Sequence, residues 1–293
     1  MNILTFDIEE WALEKAKTGI TNPLFYSKFD KMLYQVLDLL EQCQLHATCF
    51  CTGEMAVEFP QVVQLISNKG HEIACHSHAH QWCNKMSVEA FDEDTHKAVD
   101  SLEQCVGKKV KGYRAPAFSI TEKTPYAFEI LHKYGIIYDA SVFPCPRDFG
   151  GFPSFGYKVP TRIKYNGIEM YEFPIPIVNF LGKTIAWSGG GYFRLLPYPI
   201  IKQLTNQSNY VMSYFHLNDL IVEPMRLMTR ERYEEYFKEQ GTLTNRISRM
   251  IKGGIAIGNT YNKLDKFVQN KHFINIQTAI SQINWTNTPI KQL

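Results

Sequence analysis

The first 140 residues switch repeatedly between two hydrophobic periods. Ile3-Leu4-Thr5-Phe6-Asp7-Ile8-Glu9-Glu10-Trp11 opens as an apolar run ending in acid, the pattern of a buried strand. Phe29, Leu33, Val36, Leu37 and Leu40 then recur at helical spacing, with Asp30, Lys31, Asp38 and Glu41 between them, and predict a helix over 30–44. Ala47 to Cys51 reads as a strand closed by Thr52-Gly53, and Val57, Val62, Val63 and Ile66 predict a helix over 54–68, stopped by Asn68-Lys69-Gly70. A strand over Glu72 to Cys75 and a helix over 87–106, opened by Ser87, follow. Strand and helix alternating in this way imply parallel strands joined by right-handed crossovers.

The later chain is less regular. Lys111 to Ser119 predicts a short strand and a proline-containing loop, and Thr121 is placed as the cap of a helix running to Lys133-Tyr134-Gly135. Ile136 to Ser141 resumes the strand pattern. Prolines and glycines then fill 143–165, predicting a long irregular loop. Glu169 to Ile177 reads as extended. Gly189-Gly190-Gly191 would let backbone approach a ligand or another chain, without the Lys-Ser/Thr of a phosphate loop. Tyr210 to His216 is a strong buried strand, residues 231–270 are mostly helical with a break at Gly253-Gly254, and Phe273 to Ile276 leads into a last helix. No linker, repeat or low-complexity tract divides the chain, so one α/β domain over 1–293 is expected.

Candidate chemistry sits where predicted strands end. Four of the nine histidines fall within Gly70 to His80. In a continuing strand His76 and His80 would be about 13 Å apart, too far to share an ion. A helical turn after Cys75 would bring them within about 6 Å. The alternative is that these histidines are polar loop residues; a third ligand, most naturally a carboxylate, decides between the two. Asp7 and Glu9 lie two apart, on one face of the first strand, and carboxylates crowded there call for a cation. Arg114 and His216 also end strands. Each has an ordinary reading, as a surface arginine and a hydrogen-bonded core histidine. Together the set suits hydrolysis of an acyl bond: a metal polarises the carbonyl, a carboxylate takes a proton from water, a histidine protonates the leaving group and Arg114 holds the base. Cys75, beside His76, is either a soft ligand or core, and its apolar strand favours core.

Composition removes other classes. A net charge of +2 gives no electrostatic case for nucleic acid. Seven cysteines without secretory spacing fit a reducing compartment. The opening residues lack a basic head and cleavage site, and no apolar run is long enough to span a bilayer, so a cytoplasmic protein is expected, with peripheral membrane contact left open.

Thr5-Phe6-Asp7, Gly70-His71-Glu72-Ile73 with His76-x-x-x-His80, and Arg114-Ala115-Pro116 together resemble the polysaccharide deacetylase family, carbohydrate esterase family 4. Phe6 to Trp11, Tyr113 to Ile120, Gly189 to Arg194 and Phe215 to Asp219 look most like the branch found with bacterial exopolysaccharide and surface-glycan synthesis. The resemblance implies a deformed (β/α) barrel of about seven parallel strands, a divalent metal (zinc, with cobalt and nickel as alternatives), and removal of acetyl from an N-acetylated sugar or glycan precursor. By position it implies Asp7 as catalytic base, His76 and His80 as metal ligands, Arg114 as the residue orienting the base and His216 as general acid. The family's paired aspartates are here Asp7-Ile8, so Glu9 takes the ligand role, with Glu10 as the alternative. Trp11, Phe118 and Tyr192, with Trp82 and Phe193, are candidate sugar-stacking rings. Two rival readings remain: an amidohydrolase acting on a non-sugar cyclic amide, and a non-catalytic, metal-containing glycan-binding relative.

Overall fold

The structure is a computed structural model and describes all residues except 20–25, 148–149, 181, 223–226, 238 and 255–256. Parts of the expected 143–165 loop and 231–270 helical region therefore lie outside the described residues. The first half follows the predicted alternation: β1 (Asn2–Ile8), α1 (Glu10–Thr18), α2 (Ser27–Gln42), β2 (Thr48–Cys51), α3 (Gly53–Glu58), α4 (Pro60–Asn68), β3 (Glu72–Cys75), α5 (Val88–Val106), β4 (Gly112–Tyr113), α6 (Tyr126–Lys133) and β5 (Tyr138–Asp139). The second half adds two hairpins, β6 (Thr161–Tyr165) with β7 (Ile168–Glu172) and β8 (Val178–Phe180) with β9 (Lys183–Ile185). Then come α7 (Gly190–Leu195), α8 (Tyr198–Gln207), β10 (Val211–His216), α9 (Arg230–Phe237), α10 (Leu243–Gly254), α11 (Thr260–Gln269), α12 (Ile276–Gln282) and β11 (Ile290–Gln292).

The main sheet has the order β10-β1-β2-β3-β4-β5-β7-β6-β11. Seven neighbouring strands, β10 through β7, are mutually parallel, as expected. β6 is antiparallel to β7, and β11 runs parallel to β6. Among the described residues no pairing joins β10 to β11, so the barrel-like sheet stays open. Its central strands are buried on both faces, with Phe6, Phe50, Ala74 and Phe215 all 1 % exposed or less, which is why they read as continuous apolar runs. None of the described helices is long and apolar enough to cross a membrane.

Several local expectations change. The predicted 54–68 helix is two, because Pro60 has no N–H to donate and instead starts α4. The break turns Val57 outward, to 61 % exposure. Thr121 does not cap α6; it closes a turn in which Thr124 Oγ1 accepts its N–H at 2.9 Å, and the helix begins after Pro125. The 136–141 run keeps only Tyr138 and Asp139 as strand. Two of the three glycines make close approaches within the chain: a Cβ on Gly189 would collide with the backbone of Tyr214 in β10, and Gly190 has φ +54° beside the same ring. Cys75 is core, 0 % exposed, its thiol pushed up by burial.

Candidate active site

In a parallel sheet the C-terminal strand ends share one edge, and four of them here carry the polar residues. β1 delivers Asp7 in its last turn of register and Glu9 just beyond, β3 is followed by His76, β4 by Arg114, and β10 ends on His216. The strand period of two puts Asp7 and Glu9 on one side while Ile8, 1 % exposed, enters the core. Asp7 and His216 are direct partners in the β1–β10 register.

The turn after Cys75 is not helical. Ser77 and His80 take φ of +62° and +53°, conformations that cost non-glycine residues about 1–3 kcal/mol each. The backbone N–H groups of His78 and Ala79 donate to Asp94 of α5, at 2.9 and 3.4 Å, and hold the loop in place. The rings of His76 and His80 end 5.3 Å apart. His78 points elsewhere, packing against Gly53.

Glu9, His76 and His80 gather one ligand atom each within 4.8 Å of one another. Glu9 Oε2 lies 2.7 Å from His80 Nε2 and 3.2 Å from His76 Nε2. His76 Nδ1 is 2.7 Å from the carbonyl oxygen of Arg114, which can only accept, so Nδ1 carries the proton. In a neutral imidazole that leaves a lone pair on Nε2 facing a buried carboxylate oxygen. Such an arrangement requires a proton or a metal ion between them, and one carboxylate with two imidazoles is a suitable donor set for zinc and similar ions. The residues present therefore fit a divalent metal. Burial pushes the Glu9 carboxyl up, but His80, His76 and His216 together hold it well below its ordinary value. Glu10 does not join this group. Its oxygens accept the backbone N–H groups of Asn218, at 3.0 Å, and of Glu9, at 3.3 Å.

Beside this trio, Arg114 Nη1 donates to Asp7 Oδ1 at 2.7 Å and to Thr5 Oγ1 at 2.8 Å. The guanidinium is 0 % exposed, donates from Nε to the Ala140 carbonyl and lies 4.1 Å from the centre of the Phe50 ring. One residue thus orients two others: its carbonyl fixes His76 and its side chain fixes Asp7. His216 Nε2 is 3.7 Å from Asp7 Oδ2 and 3.6 Å from Glu9 Oε1, and Nδ1 is 3.4 Å from Asp219 Oδ2. Burial alone would lower the His216 pKa; Asp219, Glu9 and Asp7 push it well above the usual histidine value. A cation on Glu9 would weaken part of that pull. Asp219 also lies 3.5 Å from Arg194 Nε. Sequence reasoning quoted Asp219 and Arg194 within motifs but gave them no role; the three-residue offset from His216 was the available signal.

The aromatic candidates divide. Trp11 is 1 % exposed, its indole N–H bound to Asp30 and its ring against Phe29, so it is core and cannot stack on a sugar. Phe193, 0 % exposed between Phe215 and Phe267, is core as well, and Trp82 is nearly buried. Phe118 packs edge-on to Tyr214 and Phe143 beside Arg114. Tyr192, on α7, is the one that stays partly exposed.

Residues 4–138 match the family model for polysaccharide deacetylase, and residues 140–281 match that of a domain of unknown function, DUF3473. The peptidoglycan deacetylase of Helicobacter pylori is 29 % identical over 108 residues, 37 % of this chain and 36 % of that protein. The peptidoglycan-N-acetylglucosamine deacetylase of Bacillus cereus is 33 % identical over 88 residues, 30 % of this chain and 32 % of that protein. The chain thus spans about a third of the length of these curated relatives. A crystal structure described as a polysaccharide deacetylase from Mycobacterium smegmatis superposes over 100 % of this chain and 92 % of its own, with a TM-score of 0.62 at 14 % identity, and so shares the fold. The region that supplies Asp7, Glu9, His76, His80 and Arg114 is thus similar to the polysaccharide deacetylase family, whose model covers residues 4–138, just under half of the chain.

Proposed function

We propose that the protein is a metal-dependent deacetylase that hydrolyses the N-acetyl group of an amino sugar in a glycan or glycan precursor. The observation that carries this reading is the shared edge on which a Glu9/His76/His80 cluster adjoins an Arg114-bound Asp7 and His216. The deacetylase names of the relatives support the same chemistry. When bound, a divalent ion would polarise the acetyl carbonyl and acidify the attacking water. Asp7, oriented by Arg114, accepts the proton of that water at Oδ2, the oxygen not engaged by the guanidinium. His216, oriented by Asp219, donates a proton to the departing amine, without which the C–N bond cannot break to a neutral product. Zinc is the ion the donor set favours, and the motif resemblance favours a glycan of the exopolysaccharide or cell-surface class.

The test combines metal content with acetate release from N-acetylglucosamine oligosaccharides. The wild type should hold about one transition metal per chain. His76→Ala with His80→Ala should lose it. Asp7→Asn and His216→Ala should keep it while slowing acetate release by about 10²–10⁴-fold. Unchanged acetate release in both single variants would remove the base and acid assignments. A wild type that binds none of zinc, cobalt and nickel would remove the hydrolytic reading and leave a binding relative.

A further inference from the structure

Three of the four positions from Asp7 to Glu10 bring carboxylates to this edge, and the site uses only two of them. Asp7 faces Arg114 and Glu9 faces the histidines. Glu10 is 1 % exposed and faces neither. A buried carboxylate needs several donors, and Glu10 finds them on the backbone of two separate strand ends: Oε1 accepts Asn218 N–H and Oε2 accepts Glu9 N–H. Glu10 and Asn218 are 208 positions apart in the chain.

The location gives these bonds a consequence. The β1–β10 ladder ends at the Asp7–His216 pair. Beyond it, both chains leave the sheet: β1 turns into α1 at Glu9, whose φ and ψ are −147° and −13°, and β10 turns into the short helix Leu217–Asp219. Glu9 stands at the N-cap of α1 and makes no capping bond with its own side chain, which is directed to the histidines instead. The β1–β10 ladder does not tie the two exits to each other, yet their relative placement sets the 3.6 Å between His216 Nε2 and Glu9 Oε1.

We propose that Glu10 is a positioning residue: its carboxylate clamps the exit of β1 to the exit of β10 and thereby fixes Glu9 and His216 relative to each other. It acts through backbone amides and touches neither metal nor substrate. The effect on the metal trio rests on the deacetylase reading above; the clamp itself does not. Glutamine at this position has one acceptor oxygen where glutamate has two, so Glu10→Gln can restore one arm, and Glu10→Ala restores none.

The experiment measures two quantities on metal-free wild type, Glu10→Gln and Glu10→Ala, well below each protein's melting temperature. One is hydrogen exchange of the Asn218 amide; the other is zinc affinity by calorimetric titration. Glu10→Ala should exchange Asn218 at least about 10-fold faster and bind zinc about 10-fold more weakly, the usual scale for losing support behind a metal ligand. Glu10→Gln should fall between it and wild type in both. A merely structural role would lower the melting temperature and leave the zinc affinity of the folded protein unchanged, and that result overturns the positioning role. Unchanged Asn218 exchange in Glu10→Ala overturns the clamp. If wild type binds no zinc, the metal reading fails, and the exchange measurement still decides the clamp by itself. If Glu10→Ala does not fold, Glu10→Gln carries both measurements.

Discussion

Buried carboxylates crowd together in two places in this molecule, and the two crowds reach opposite outcomes. At the site edge, Asp7, Glu9, Glu10 and Asp219 are interleaved with Arg114, His76, His80, His216 and Arg194. Glu9 and Asp219 are held below their ordinary values despite burial, because cations stand beside them, whereas Glu10, which has no cation in bonding contact, is pushed up to about 7 by burial and the Glu9 charge. On β5 and β7, the register partners Asp139 and Glu172 are both 0 % exposed and hydrogen-bond to each other. Arg114 pulls on Glu172 only from a distance, and burial with the Asp139 charge pushes the Glu172 carboxyl well above its ordinary value. The depth of burial is the same in both places; what differs is whether a positive partner is within bonding range. The interior pair also has a task. Asp139 accepts from Ser141 N–H and Oγ–H, Ser141 Oγ accepts Ala115 N–H, and Ala115 adjoins Arg114, so the interior pair props up the strand end that carries the site's guanidinium.

The largest effect should come from removing the cation that separates the two cases. Arg114→Ala leaves Asp7, 3 % exposed, without its guanidinium and empties the space over Phe50. Breaking a buried pair from one side costs about 3–5 kcal/mol. The urea midpoint should fall accordingly, and acetate release should be lost. Arg114→Lys keeps the charge but cannot reach Asp7, Thr5 and the Ala140 carbonyl at once, so stability should recover more than activity. A midpoint for Arg114→Ala within about 1 kcal/mol of wild type would mean that the edge charges are not the matched set described.

The interior pair should respond next. Asp139→Ala strands Ser141 N–H and Oγ–H and removes the partner of Glu172, at about 1–3 kcal/mol for buried groups left unbonded. The loss should appear in thermal unfolding. If it is absent, water replaces the carboxylate and the pair is not a support.

This contrast also separates what the sequence made legible from what it did not. Asp7, Glu9, Arg114 and His216 were readable because each stands at the end of a predicted strand, and strand ends in a parallel sheet converge. Glu9 could be preferred to Glu10 by the period of two alone. The route by which His76 meets His80 was not readable: it depends on left-handed backbone at Ser77 and His80, which residue type does not announce. Trp11 looked like a sugar platform because an aromatic beside a site has the same appearance whether it faces in or out; its bond to Asp30 is a tertiary fact. Asp139 and Glu172 lie 33 positions apart on short strands, and nothing local predicts that they pair across the sheet. β11 was missed because three partly exposed residues carry no period; its pairing with β6 alone makes it a strand.

The smallest and sharpest test changes one oxygen. Glu172→Gln keeps a carbonyl for the Val142 N–H, bonded now at 3.2 Å, and offers an N–H toward Asp139. Glutamine does not titrate. For a carboxyl whose folded pKa is raised, the native state binds more protons than the unfolded state between the two pKa values, so wild-type stability falls as pH rises through that window. The window opens near the unfolded value of about 4.3 and extends to the raised folded one, with a slope of at most about 1.4 kcal/mol per pH unit. Glu172→Gln removes this contribution. Its stability relative to wild type should therefore improve steadily from pH 4 upward and exceed it by on the order of 1 kcal/mol at pH 7. Chemical denaturation at several pH values reads this directly. A variant that is less stable than wild type, by the same margin at every pH, would mean that Glu172 is ionised in the folded protein; the two crowds would then differ in geometry alone and not in charge.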